Sequence, residues 1–332
     1  MGTVDILLLS QEDVIACSPS VKEAREIIED VFKSHAEGRV VMPTKLIMNP
    51  PPEFKGRWVA MPAYIETVFG NIGGIKWLSS YSENLARFNL PNVVAFIAIN
   101  DPHTGFPLAI MDGTYITGLR TAAAVASGAR YLALKNVNKI AIIGNSVQGR
   151  TNLTAITDVY PNTRVAAYDA IETVTDAFIS EMEPTIGMPI EKAGSIHEAV
   201  KGSDIVINAT RAKEPFFSGK WLEPGMLVIS IGSMPELMPD VIERADKIVV
   251  DNWEGCKHLG SLKPFAENNL LSEVYAEIGE IVAGQKPGRE SEKERIIYVP
   301  MGMGSEDMAV AHRVYRNALD RGQGEKFALC RI

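Results

Sequence analysis

Residues 139–149 read KIAIIGNSVQG, and this stretch decides the fold. A short apolar run ends at a glycine, and a helical pattern opens at the second glycine. The run reads as a strand, and Gly144-Asn145-Ser146-Val147-Gln148-Gly149 as the turn that joins it to a helix. The turn is G-x-S-x-x-G, a Rossmann fingerprint with its middle glycine replaced by Ser146. In that fingerprint the first glycine makes the tight turn, the second lets backbone approach a pyrophosphate, and the third lets helix and strand pack closely. Serine is small enough for a modestly altered phosphate loop, and its hydroxyl can bond a phosphate.

Working outward, the next strand, RVAAYD, ends at Asp169, 25 positions after Gly144. That is near the offset of about 20 expected for a ribose-binding acid. A carboxylate there accepts from the adenosine ribose hydroxyls and repels a 2′-phosphate, which favours NAD over NADP. Asn208-Ala209-Thr210 and Ile231-Gly232 end two later apolar strands, DIVINAT and LVISIGS. Carboxyl ends of parallel strands line the crevice in which such sheets bind ligands. The bland alternative is a glycine turn and a strand-end acid with no ligand.

Strands alternate with helices from Lys139 through KIVVD, with a short capped helix at Ser195 and Glu198, so the sheet is parallel and covered on both faces. Upstream the texture differs. Ser20 and Glu23 form a capping box for a helix to about Glu37, with Gly38 at its C-cap. From Val41 to Ile110, short alternating runs are broken by Pro, Gly and Asn, and Asn100 to Gly105 supplies a hairpin turn. A small-residue helix from about Leu119 to Lys135 leads out of this β-rich part. Lys286 to Arg295 reads as a solvated loop, and a last helix, Asp307 to Arg321, packs back on the first domain. The expected fold is α/β: a Rossmann-type doubly wound sheet plus a β-rich α+β substrate and dimerisation domain. The expected domains are 1–128 with 307–332, and 129–306.

The chain has 332 residues, 33 Lys plus Arg and 41 Asp plus Glu, for a net charge of −8. That balance argues against a nucleic-acid footprint and offers no polybasic membrane anchor. The N-terminal MGTVDILLLSQEDV lacks the basic start and small-residue cleavage site of a signal peptide. No stretch approaches the ~18 apolar residues of a membrane span. Three cysteines (Cys17, Cys256, Cys330) without CxxC spacing point to a reducing cytoplasm. The five histidines (His35, His103, His197, His258, His312) lack ligand spacing, so no metal is expected.

A β-rich domain, a Rossmann domain and a C-terminal return together resemble the ornithine cyclodeaminase/mu-crystallin family. The matching stretches are MPTK at 42–45, WVAMPAY at 58–64, GGIKWLSSYSEN at 73–84 and TGFPLAIMDGTYITGLRTAAAVA at 104–126. GNSVQG, VINAT and GMGSEDMAVA at 302–311 follow. The resemblance implies a small amino or imino acid bound between the domains, its carboxylate held by a cluster of cations. Lys76 matches the family lysine and Arg120 the family arginine, which makes them the candidate catalytic residues and carboxylate ligands. Lys45 stands where many members have arginine. Convergent cations suit a carboxylate, and Arg120 can bind one bidentately. The structural alternatives are a solvated strand lysine and a helix-terminal ion pair. The resemblance also implies a homodimer joined through the first domains.

One departure matters. Many members carry an aspartate after the strand that here ends at Ile231, and it acts on the amine in the cyclodeaminases. This chain has Gly232-Ser233-Met234-Pro235-Glu236-Leu237, with Met234 at the aspartate's place. Glu236 reads as a structural acid at a helix start, or as a substitute for the aspartate. His258 reads as an exposed loop residue, or as a proton relay. The leading expectation is therefore an NAD-dependent amino-acid dehydrogenase or imine reductase. A cyclodeaminase or ammonia-lyase that recycles NAD, and a non-catalytic small-molecule binder, stand as alternatives.

Overall fold

In the computed structural model the structure describes residues 3–331. Residues 1, 2 and 332, at the outer limits of the expected first domain, lie outside the described residues. The chain divides into two compact units, 1–120 with 303–332 and 121–302, against expected boundaries at 128/129 and 306/307.

The first unit opens with strand β1 (Thr3–Leu9) and helices α1 (Gln11–Cys17) and α2 (Val21–Ala36). Ser10 with Asp13, and Ser20 with Glu23, close capping boxes that start the two helices. Six strands follow: β2 (Val40–Val41), β3 (Leu46–Met48), β4 (Gly56–Thr67), β5 (Gly70–Tyr81), β6 (Val93–Asn100) and β7 (Pro107–Asp112). Helix α3 (Thr114–Leu132) starts five residues before its expected first turn, because Asp112 accepts hydrogen bonds from the amides of Thr114 and Tyr115.

The second unit carries eight strands: β8 (Lys139–Ile143), β9 (Arg164–Tyr168), β10 (Ile190–Lys192), β11 (Ile205–Asn208), β12 (Leu227–Ser230), β13 (Lys247–Val250), β14 (Ala276–Glu277) and β15 (Ile296–Val299). Helix α4 (Val147–Val159) follows β8, and α5 (Glu172–Ile186) follows β9. The sheet order is β10-β9-β8-β11-β12-β15-β13-β14, and every pairing is parallel. Sequence order reverses between β8 and β11, so their carboxyl ends form the topological switch point. β8, β11, β12, β13 and β15 are buried along their whole length. That explains their near-continuous apolar sequences.

Residues 286–295 form the loop that their polarity predicts, exposed at 287 and 290–293 and half-buried elsewhere, and two of its acids reach back to the sheet. The buried Lys247 ammonium lies 2.7 Å from Glu290 and 3.0 Å from Glu294, and Arg289 donates to the carbonyls of Leu132 and Glu294.

The chain returns to the first unit as α6 (Gly304–Arg321) and ends in β16 (Glu325–Arg331). The first sheet has the order β16-β1-β7-β6-β5-β4-β2, with β3 on β4; among the described residues only the β1–β7 pairing is parallel. α6 packs on β4, β5 and β6, and on α1 and α2. Its seat depends on Gly74 of β5, where a Cβ would lie 2.2 Å from the carbonyl oxygen of Ala98 and 2.8 Å from Sδ of Met308. A bare backbone there brings the start of α6 down onto the sheet.

Candidate active site

Lys76 lies on β5, on the face that α6 covers, and is fully buried. Its neighbours across the sheet, Met61 and Ile97, are apolar and buried too. A charge in such surroundings needs partners. They come from the first turn of α6: the Lys76 ammonium sits 2.6 Å from Oδ2 of Asp307. Arg120 Nε donates to the other oxygen of Asp307 at 3.1 Å, and Nη1 donates to Glu306 at 2.9 Å. All four side chains are buried, Arg120 being the most accessible at 6%. The helix N-terminus adds partial positive charge, which favours carboxylates at that position.

Burial pushes the Lys76 amine down to about 7, the positive charges of Arg120 and Lys45 push the same way, and Asp307 opposes them. Lys45, half-buried in the segment before β3, is thus within electrostatic reach of Lys76. The three cations named from the sequence therefore act on one place. Glu306 and Asp307 were missed as site residues. Their signal was an acidic pair inside GMGSEDMAVA, where every neighbour is small or apolar.

The second unit builds a different kind of site. Gly144 has φ +93°, and a Cβ on it would lie 2.5 Å from the carbonyl oxygen of Ala209. A Cβ on Gly149 would lie 2.3 Å from the carbonyl oxygen of Gly144. The turn therefore closes only with glycine at both positions. Ser146 is the N-cap of α4 but its side chain caps nothing, and Val147 at the first helical position is 68% exposed. The open amides of a helix start bind anions. Asn145 and Gln148 brace the loop from within: Asn145 bonds Thr175, and Gln148 accepts from Asn152.

Asp169 follows β9 and is half-buried. It accepts from the amides of Asn145 at 2.9 Å and Ile171 at 3.0 Å. Through these two bonds it shapes the loop. Across the switch point, Asn208 is fully buried and neither its side-chain nitrogen nor its oxygen has a partner. Orphaned buried amides are costly, and these sit at the strand end beside Ala209 and Gly144. A dinucleotide fits this set: a glycine cradle, an open helix start, a strand-end acid and unspent polar atoms.

Three further residues weighed from the sequence remain. Glu236 is not at a helix start; it lies in the loop after β12, fully buried, bonded to Thr210, Ser230 and Gly232. Met234 is 37% exposed, and His258 is exposed. Ile231 donates its amide to the Asn208 carbonyl, which ties the two strand ends.

The profile of the ornithine cyclodeaminase/mu-crystallin family matches residues 5–322. The chain belongs to this family. It is 36% identical to an alanine dehydrogenase of Archaeoglobus fulgidus, over 99% of this chain and all of that protein. Among solved structures, it is similar to Thermococcus litoralis Δ1-pyrroline-2-carboxylate reductase in complex with NADH and L-proline. That match has TM-score 0.91 and 35% identity, and covers 96% of this chain and 99% of the other. An archaeal alanine dehydrogenase dimer with bound NAD also gives TM-score 0.91 at 35% identity, covering 98% of this chain and 100% of the other.

Among the described residues, no helix is long and apolar enough to cross a membrane.

Proposed function

We infer that this member of the family is an NAD-dependent oxidoreductase acting on a small amino or imino acid, as an amino-acid dehydrogenase or imine reductase. One observation carries the reading: a fully buried lysine, drawn down to about 7 and paired with Asp307 beside Arg120, in a chain that also builds a dinucleotide cradle. The relatives are named for this chemistry, one as a dehydrogenase of alanine and one as a reductase of a cyclic imino acid.

In this reading Arg120 anchors the substrate carboxylate and Lys45 adds to the attracting field. Lys76 exchanges a proton at the reacting end of the substrate. A lysine near neutrality has both its acid and its base form available at working pH. Asp307 holds the ammonium and the guanidinium in one place, so the substrate meets a fixed array. NAD, when bound, supplies the hydride acceptor or donor at nicotinamide C4. The Gly144–Gly149 loop and the start of α4 would hold its pyrophosphate, Asp169 its adenosine ribose, and Asn208, Ala209, Thr210, Ile231 and Gly232 the crevice wall. Met234 can neither take a proton nor hold an ammonium, which weighs against the cyclodeaminase route.

The test incubates the protein with NAD and a panel of L-amino acids while NADH and ammonia are followed together. NADH is expected to rise, in step with ammonia where a primary amino acid is oxidised and without ammonia where a cyclic imino acid is. Ammonia without net NADH contradicts the reading and restores the cyclodeaminase or lyase.

The working form is proposed as a cytoplasmic homodimer. Among the described residues the three cysteines form no disulfide, as a reducing compartment permits. Val94 (45% exposed), Phe96 (46%) and Ile110 (37%) share one face of the first sheet, an apolar surface that suits a second copy. Phe96→Asp is expected to halve the mass seen by light scattering.

A further inference from the structure

Glu236 is a buried carboxylate that the reaction above does not use. Its Oε1 accepts from the Thr210 amide at 2.9 Å and the Thr210 hydroxyl at 2.7 Å. Its Oε2 accepts from the Ser230 hydroxyl at 2.6 Å and the Gly232 amide at 3.2 Å. Its own amide donates to Ser261 Oγ at 2.9 Å, and its carbonyl accepts from the amides of Phe216 and Phe217. The side chain thus ties together the ends of β11 and β12, and the residue's amide joins them to the segment that carries Ser261.

Every one of those partners is neutral. Arg211 and Lys213, beyond Thr210, are exposed. Lys263, beyond Ser261, pairs with Glu267, and Asp240, beyond Leu237, is held by Ser218 and Gly219. The clamp also touches the phosphate loop: Thr210 Cγ2 lies 3.1 Å from the position of a Cβ on Gly144. One threonine side chain separates the carboxylate from the first glycine of the cradle.

We propose that Glu236 is the proton-linked positioning residue of the dinucleotide site, clamping two strand ends of the crevice and weakening the hold on an anionic dinucleotide whenever it carries its charge. The inference rests on the reading of this unit as the NAD site. When ionised, the carboxylate accepts all four bonds. When protonated, it donates to Ser230 Oγ, and Ser230 turns its hydrogen to Ser261, 2.7 Å away. Two hydroxyl rotations take up the proton without moving the clamp, so only the charge changes. Burial raises the Glu236 carboxyl to about 7, so the change falls in the neutral range. NADH carries one more negative charge than NAD and feels the repulsion more. By linkage, a ligand that binds the protonated form better draws a proton in as it binds.

The test titrates NADH by fluorescence across pH, with calorimetry near pH 7 in two buffers of different ionisation heat. The NADH Kd is expected to rise about three- to tenfold from about pH 6 to about pH 8, as a nearby buried charge implies. The rise for NAD should be smaller, and part of a proton should be taken up on NADH binding. Glu236→Gln should abolish both the slope and the uptake. The same slope and uptake in folded Glu236→Gln overturn the proposal. If that variant does not fold, a wild type that binds NADH without proton uptake overturns it. A wild type that binds no NADH at any pH overturns the cofactor reading, and this inference with it.

Discussion

The two candidate sites of this molecule are built from opposite materials. In the first unit, Lys76, Arg120, Glu306 and Asp307 bring four formal charges into a dry interior, each matched to another. In the second, the cradle of Gly144, Ser146 and Gly149 brings no charge, only backbone amides and room. A charge-matched site depends on every partner, because removing one leaves another buried without compensation. A backbone-built site depends on the absence of atoms. The same kind of substitution should therefore fail for different reasons in the two units.

The largest effect should come from breaking the charge match. Arg120→Met removes one cationic partner from Glu306 and one from Asp307 in a buried site, and should cost about 3–5 kcal/mol in urea unfolding. Lys76→Met leaves Asp307 still paired to Arg120. Its loss should appear in kcat/KM, about a thousandfold if Lys76 moves the proton, with a much smaller shift in the urea midpoint. Equal destabilisation by the two would erase the distinction between anchor and acid–base group.

Next comes the backbone-built site. Gly149→Ala places a Cβ against the Gly144 carbonyl, and overpacking of this kind costs about 1–3 kcal/mol. NADH affinity by fluorescence should fall about tenfold or more, while the pH profile set by Lys76 stays where it was.

The third prediction concerns pH and separates the units by sign. The folded chain holds the Lys76 proton less tightly than the unfolded chain, so unfolding free energy should rise with pH from about 7 toward the ordinary 10.5. The folded chain holds the Glu236 proton more tightly, so stability should fall with rising pH from the ordinary 4.5 to about 7. Denaturant midpoints across pH should thus dip near neutrality. Lys76→Met should remove the upper limb and Glu236→Gln the lower.

The smallest effect should be Ser146→Gly, which restores the usual middle glycine. Ser146 is exposed and its side chain caps nothing. NADH affinity should move by about twofold or less, well under one kcal/mol.

The same contrast explains what the sequence made legible. The phosphate loop is local: a strand, a turn and a helix within a dozen residues, with steric demands that leave glycines in the sequence. Asp169 follows at a readable offset, because the intervening helix has a nearly fixed length. The charged quartet is not local. Arg120 and Glu306 lie 186 positions apart, and nothing in a charge pattern announces such a partner. Lys76 and Arg120 were reached through family motifs, while Glu306 and Asp307 in a matched motif went unassigned. The start of α3 was placed late because Asp112 initiates it with side-chain bonds, and the textural reading began at the alanines. The loop at 286–295 was legible from its polarity, but its pairing with the buried Lys247 through Glu290 and Glu294 was not, because those partners lie more than 40 positions from it. β16 was missed outright; all seven of its residues are exposed, so it carries no alternation of burial to mark it.

The central claim is net hydride transfer to or from the α-carbon of a small amino or imino acid. It is tested most directly with NADH deuterated at C4, supplied with a cyclic imino acid or with a 2-keto acid plus ammonia. Deuterium is expected at the α-carbon of the amino-acid product, with one NAD formed for each deuterium transferred. Product formed without net NAD, or with no label retained, would contradict it.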